Sequence, residues 1–245
     1  GYHGPLFAEI SPRTFSILAR QGSRLSQLRL RRGALRLDDA QLAILHESHG
    51  LVSATANPDS SHVDNDVFSA SINDGIGLSV NLHADGPDDI IGWRARKHAG
   101  LIDIDKPASQ AINRFWEAVR INDLTGGGLV LNPDEFYILA SREFVCVPSS
   151  YAAEMRAYDT RVGEFRAHYA GFFDPGFGMC DIGASPTRAV LEVRSHDVPF
   201  LIDHGQIVCR LVYEPMAGVP TALYGAQGSG SNYQSQGLKL GKHFC

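Results

Sequence analysis

Glu192 is the residue whose type and setting most call for chemistry. It is flanked by Val190, Leu191 and Val193, and a carboxylate in an apolar strand needs either a partner or a task. Two readings are open: a core glutamate neutralised by an arginine, or an acid–base group. Upstream, Arg156, Arg161 and Arg166 fall within eleven residues, just before a strand and a tight turn. Guanidinium forks match phosphate oxygens, so this run can cradle an anion. Surface ion pairing is the alternative for Arg156 and Arg166. Asp174-Pro175-Gly176 adds a second carboxylate, although on its own it is simply a turn.

Metal chemistry finds no support in spacing. His46-Glu47-Ser48-His49 is one residue short of the H-E-x-x-H that sets two histidines on one helix face. Cys146, Cys180, Cys209 and Cys245 form no C-x-x-C pair, which argues against a zinc knuckle or disulfide framework and for reduced, buried thiols.

The elements that must position these groups are mostly strands. Residues 129–131, 136–140, 144–147, 189–193, 200–202 and 207–213 are short, apolar or alternating, and punctuated by Asn-Pro-Asp, Asp-Pro-Gly and His-Gly turns. That spacing predicts a mainly β sandwich or barrel with few short helices. Asp38 or Asp39 caps one helix through Leu42, Ala43 and Leu45. Ile112, Phe115, Trp116 and Val119 sit at i, i+3, i+4 and i+7, predicting a second. The segment 225–244 is rich in Gly and Ser, yet carries Tyr233, Gln236, Lys239 and Lys242, which a bare spacer would not need.

Charge narrows the partners. With 22 Lys and Arg against 27 Asp and Glu, the 245-residue chain is net −5, which argues against non-specific attraction to nucleic acid or anionic membrane. No apolar run reaches the length of a bilayer span and no secretory leader is legible, so a cytoplasmic location is expected.

An internal repeat organises the chain. Aligning Glu9 with Glu192 places Gly22 on Gly205 without a gap, so residues 4–30 and 188–213 read as copies of one strand-turn-strand-turn-strand unit. The second copy has an upstream half, about 129–177, that the first lacks, so the chain is expected to begin in mid-domain. The expected division is 1–52 as the C-terminal part of a first repeat, 53–75 as a linker rich in Ser, Asn and Asp, and 76–245 as a complete second domain with a closing tail.

Read together, these stretches resemble the dCTP deaminase branch of the trimeric dUTPase-like family. The likeness covers about 129–244. It rests on Arg156-x4-Arg161-x-Gly163, Phe173-Asp174-Pro175-Gly176-Phe177, Val190-Leu191-Glu192-Val193, Val198-Pro199-Phe200 with Gly205, Leu211-Val212-Tyr213-Glu214-Pro215, and Tyr233-Gln234-Ser235-Gln236-Gly237. Residues 4–32 look like part of a first repeat, as in the long duplicated bacterial type. The resemblance implies a distorted jelly-roll β barrel, a homotrimer or comparable pseudo-symmetric oligomer, and sites at subunit contacts. It implies Glu192 as general base, Arg161 as the arginine holding water and base, and Asp174 on the deoxyribose 3'-hydroxyl. Arg156 would meet phosphates, Ala170 would line the substrate site, and Tyr224, Tyr233 and Gln236 would close over the nucleotide. Ala157-Tyr158 follow Arg156 where the family has Ser-Ser, leaving Thr160 or Asp159 to supply a polar group, and an insertion lengthens the stretch between Gly178 and Arg188.

The implied reaction is hydrolysis of dCTP to dUTP and ammonia, supplying dUTP for dUMP and thymidylate synthesis. The zinc deaminase signature, H-x-E followed by P-C-x-x-C, is absent, so Glu192 is expected to activate water without zinc, with Mg²⁺ arriving on the substrate triphosphate. dTTP is the expected inhibitor. Alternative readings are a dUTP pyrophosphatase, a bifunctional enzyme doing both steps, and a non-catalytic nucleotide-binding domain.

Overall fold

The computed structural model describes residues 2–56, 69–157, 165–168, 172–178, 185–195, 197–226, 231, 233–234 and 237–245. The described residues form fourteen strands and two α-helices: β1 (Ser16–Leu18), α1 (Asp39–His49), β2 (Val52–Ser53), β3 (Ile76–Asn81), β4 (Ile90–Ala95), β5 (Leu101–Asp103), α2 (Ile112–Phe115), β6 (Trp116–Arg120), β7 (Gly128–Leu131), β8 (Phe136–Val145), β9 (Tyr151–Ala157), β10 (Phe165–His168), β11 (Phe172–Phe173), β12 (Thr187–Ser195), β13 (Phe200–Asp203) and β14 (Ile207–Pro215). The expected mainly β architecture is the one formed, as a sheet curled into a half-barrel. Its main path runs β10-β12-β8-β3-β14-β9-β11, with β2 and β4 also pairing with β8, and β6 with β4.

Alternation in the sequence sets the faces. Along β12, Ala189, Leu191 and Val193 are fully buried, while Arg188, Val190, Glu192 and Arg194 look the other way and are only partly covered. The inward residues join Leu51, Ile76, Leu78, Val80, Leu139, Val145, Leu211 and Tyr213 in one core. Leu42 and Leu45 of α1 reach the same core, below a capping box that Asp38, one of the two expected caps, forms with Gln41.

Three expectations change. The stretches 136–140 and 144–147 form the single strand β8 through Val145, because the polar Ser141-Arg142-Glu143 between them does not turn. Glu143, 7 % exposed, accepts from the Ser79 N–H at 2.8 Å and the Ser79 hydroxyl at 2.6 Å. The Ser141 hydroxyl donates to the Glu143 carbonyl and accepts from the Ala189 N–H. With every polar group satisfied inside the sheet, no loop is needed. The predicted helix from Ile112 to Val119 is one turn only, followed by β6, which pairs antiparallel with β4 from Ile90↔Arg120 to Ala95↔Trp116. The sheet edge at β4 offers ladder hydrogen bonds that a continued helix would forgo, and both faces bury the same apolar residues.

The N-terminal segment forms one short strand, not the three its alternation suggests. β1 pairs in parallel with β5, and Leu6, Phe7, Leu28 and Leu30 remain exposed. Phe15 anchors it in a second apolar cluster, with ring centroids 5.3 Å from Phe115, 5.2 Å from Trp116 and 6.2 Å from Phe244. The tail therefore packs as well: Leu240 is buried, and Ala108 and Ser109 donate to the carbonyls of Lys242 and His243.

Candidate active site

The outward face of β12 meets a turn held by glycine. Gly176 (φ +97) and Gly178 (φ +61) lie in the left-handed region, where side chains are strained. A Cβ on Gly176 would sit 2.9 Å from the Leu223 Cβ and the Tyr224 carbonyl, and one on Gly178 would collide with the Val145 carbonyl. This close approach lets Gly176 donate to the Val147 carbonyl, Val147 to the Phe177 carbonyl and Tyr224 to the Pro175 carbonyl. The Asp174 side chain is thereby set beside β12, with the Tyr224 loop against it.

Between them is a cavity of about 70 Å³ lined by Phe172, Phe173, Asp174, Phe177, Arg188, Val190, Glu192, Tyr224 and Tyr233. A ligand larger than a ring edge and a water must extend across its rim. Aromatic rings make the walls: Phe173 and Phe177 meet edge to face at 5.0 Å, and Tyr224 lies 5.7 Å from Phe177. The tail closes one side. The Tyr233 N–H donates to the Tyr224 hydroxyl at 3.0 Å, the Gln234 side-chain amide donates to the Gly176 carbonyl at 3.2 Å, and its oxygen accepts from the Gly178 N–H at 3.2 Å.

Glu192 is the cavity group whose titration burial shifts most clearly. Its carboxylate has no hydrogen-bond or ionic partner among the described residues, and burial pushes it up to about 7 from an ordinary 4.5. Arg188 lines the same cavity but is committed elsewhere. Its guanidinium bridges Asp85 at 2.8 and 3.0 Å, donates to the carbonyls of Ser141 and Arg142, and covers the Phe144 ring. Glu192 is therefore a carboxyl group poised to take and return a proton near neutral pH. Opposite Glu192 in the ladder stand Ile138 on β8 and His168 on β10.

Four residues singled out in the sequence, Glu192, Asp174, Tyr224 and Tyr233, line this cavity. Arg156 is not among its lining residues: it projects from β9 with its guanidinium 3.5 Å from Asp74. Arg161, Ala170 and Gln236 lie outside the described residues. Sequence reasoning missed Gln27 and Arg29, both of which bond Asp174 from the N-terminal segment. Their signal was the alternation Gln27-Leu28-Arg29-Leu30-Arg31, one polar face against one apolar face. Among the described residues no group of three His, Cys, Asp or Glu is arranged to hold a metal ion, and none of the helices is long and apolar enough to cross a membrane.

Comparison with known proteins identifies the family. Residues 38–244 match the family model described as 2'-deoxycytidine 5'-triphosphate deaminase, C-terminal domain, and residues 1–34 match the N-terminal domain of the same family. A crystal structure titled 2'-deoxycytidine 5'-triphosphate deaminase from Agrobacterium tumefaciens superposes with a TM-score of 0.71 at 48% identity, over 86% of this chain and 57% of that one. Its likeness supports a dUTPase-like β fold. Among curated relatives, a "dCTP deaminase, dUMP-forming" of Methanobrevibacter smithii is 29% identical over 136 residues, 54% of this chain and 65% of that protein. One of the same description from Methanothermobacter thermautotrophicus is 27% identical, over 54% and 64%. The chain thus spans under two thirds of the length of these relatives.

Proposed function

We propose, for a chain that belongs to the 2'-deoxycytidine 5'-triphosphate deaminase family, that the cavity around Glu192 hydrolyses the exocyclic amine of dCTP to give dUTP and ammonia. The observation that carries this reading is Glu192 itself: a carboxyl group raised to about 7 by burial, beside Asp174 and under a tail that closes on the same turn.

Water adds to C4 of cytosine as Glu192 takes its proton and hands it to N3, so the C4–N3 double bond becomes single. C4 then carries a hydroxyl and the amine. Glu192 next moves the hydroxyl proton to the amine, the C4–N4 bond breaks, ammonia leaves, and the C4 carbonyl of uracil forms. One carboxyl group serves both transfers and ends as it began, a role worth roughly 10²–10⁴ in rate. Asp174 accepts from the deoxyribose 3'-hydroxyl, and Tyr224 and Tyr233 shield the base from bulk water. Arg161 would orient Glu192 and the water, Arg156 would exchange Asp74 for phosphate, and Ala170 and Gln236 would complete the pocket, as the family resemblance implies. Mg²⁺ would come with the triphosphate, whose hard oxygens suit it. Assembly as a homotrimer or pseudo-symmetric oligomer, inhibition by dTTP and a cytoplasmic location belong to the same reading; sedimentation and dTTP titration test the first two.

Incubation with dCTP, CTP, dUTP and Mg²⁺, with products separated by ion exchange, tests the activity. Ammonia and dUTP are expected from dCTP, and Glu192→Gln should form no dUTP while staying folded; near-normal turnover by that variant would remove the proposal. A second reading, onward cleavage of dUTP to dUMP and pyrophosphate, comes from the description of the two relatives as dUMP-forming. It is distinguished by dUMP appearing in the same assay.

A further inference from the structure

Asp174 is not alone at the rim of the cavity. From the segment some 145 positions upstream, the Gln27 side-chain amide donates to both of its oxygens, at 3.3 and 3.1 Å, and the Arg29 Nη2 donates to its Oδ1 at 3.2 Å. Arg29 sits over Phe172, which itself lines the cavity, with its Cζ 4.0 Å from the ring centroid. Only 14% of the Arg29 side chain is exposed. Its other terminal nitrogen, Nη1, is hidden from solvent and has no acceptor among the described residues. A buried guanidinium N–H without an acceptor bears a desolvation cost that nothing in the described structure offsets.

The two nitrogens of one guanidinium are fixed side by side, so burial of Nη1 and of the face over Phe172 fixes where Nη2 meets the Asp174 carboxylate. A carboxylate held from one side by an amide and a guanidinium keeps lone pairs for one hydroxyl donor from the cavity side. We propose that Arg29 and Gln27 are positioning residues: together they fix the Asp174 carboxylate so that it accepts from the sugar 3'-hydroxyl. The segment matching the family's N-terminal domain thus helps to hold the nucleotide site in place. This inference rests on the reading of Asp174 as the sugar contact.

Binding of dCTP and of its 2',3'-dideoxy analogue, measured by calorimetry, tests it. A charge-assisted hydrogen bond predicts that the wild-type protein prefers dCTP by about tenfold or more. In Arg29→Ala the preference collapses because dCTP weakens while the analogue does not. Arg29→Lys, which keeps a charge beside Asp174 but not the fork, serves if the alanine variant fails to fold, and should lose most of the preference too. Equal weakening of both ligands, or an unchanged preference, would mean that Arg29 merely straps the segment down and would overturn the proposal. The catalytic reading fails separately: a preference that depends on Arg29 without ammonia release sinks deamination alone, whereas turnover with an unaltered preference in Arg29→Ala sinks this inference alone. Absence of binding by either nucleotide overturns both.

Discussion

Burial of Glu192 without an ion-pair partner among the described residues alters the balance between its protonation states, and with it the stability of the fold. In the unfolded chain the carboxyl titrates near 4.5, and in the folded protein near about 7. Between those values the unfolded chain has released a proton that the folded protein still holds, so stability falls as pH rises. The contribution is fully present below about 4.5 and gone above about 7. Replacing Glu192 by Gln should leave stability unchanged near pH 4 and raise it by roughly 1–3 kcal/mol near pH 8. Urea unfolding of both proteins across this range reads the difference, and parallel curves would show that the carboxyl is not held in a desolvated pocket. Glu192 was legible in the sequence because an ionisable group between Leu191 and Val193 breaks the apolar pattern around it. Gln27 and Arg29 were not, since alternation says that a segment has a polar face but not which distant carboxylate that face will meet.

The Asp174 turn shows how an element can depend on one missing carbon. Gly178 holds φ +61 with the Val145 carbonyl where a Cβ would go, so backbone, not a yielding side chain, is in the way. Gly178→Ala should cost about 3 kcal/mol and lower turnover, because Asp174 and the Gln234 contact move with the turn. Gly218, where an added Cβ meets nothing within 4 Å, provides the comparison and should be nearly neutral on alanine substitution. Thermal unfolding of the two variants decides it; equal losses would mean the close approach at Gly178 relaxes freely. β12, with its alternating burial, could be read directly, as could β14 from its apolar run and α1 from its Asp38 cap. β8 could not, because Ser141 and Glu143 resemble a turn until their partners Ser79 and Ala189 are in place. Nor could the end of α2, because the spacing of Phe115, Trp116 and Val119 suits a helix face and a doubly covered strand equally well.

At the scale of the whole molecule, composition and strand punctuation were enough for a mainly β fold. How the outlying segments lie on it was not legible, because extended chain with little regular hydrogen bonding leaves no period to detect. Phe15 and Phe244, 229 positions apart, share one aromatic cluster with Phe115 and Trp116. From one side of that cluster the chain leads to Arg29 at the cavity rim, and from the other back to Gln234 and Tyr233. Phe244→Ala should therefore speed amide hydrogen exchange at Ala108 and Ser109, which donate to the tail, and also at Ile104, which donates to Leu18. Faster exchange confined to the tail-bonded pair would show that the two segments open independently. If they open together, a nucleotide that immobilises the tail also slows departure of the upstream segment, and the residence time of the ligand is set jointly by two stretches of chain that meet in the aromatic cluster.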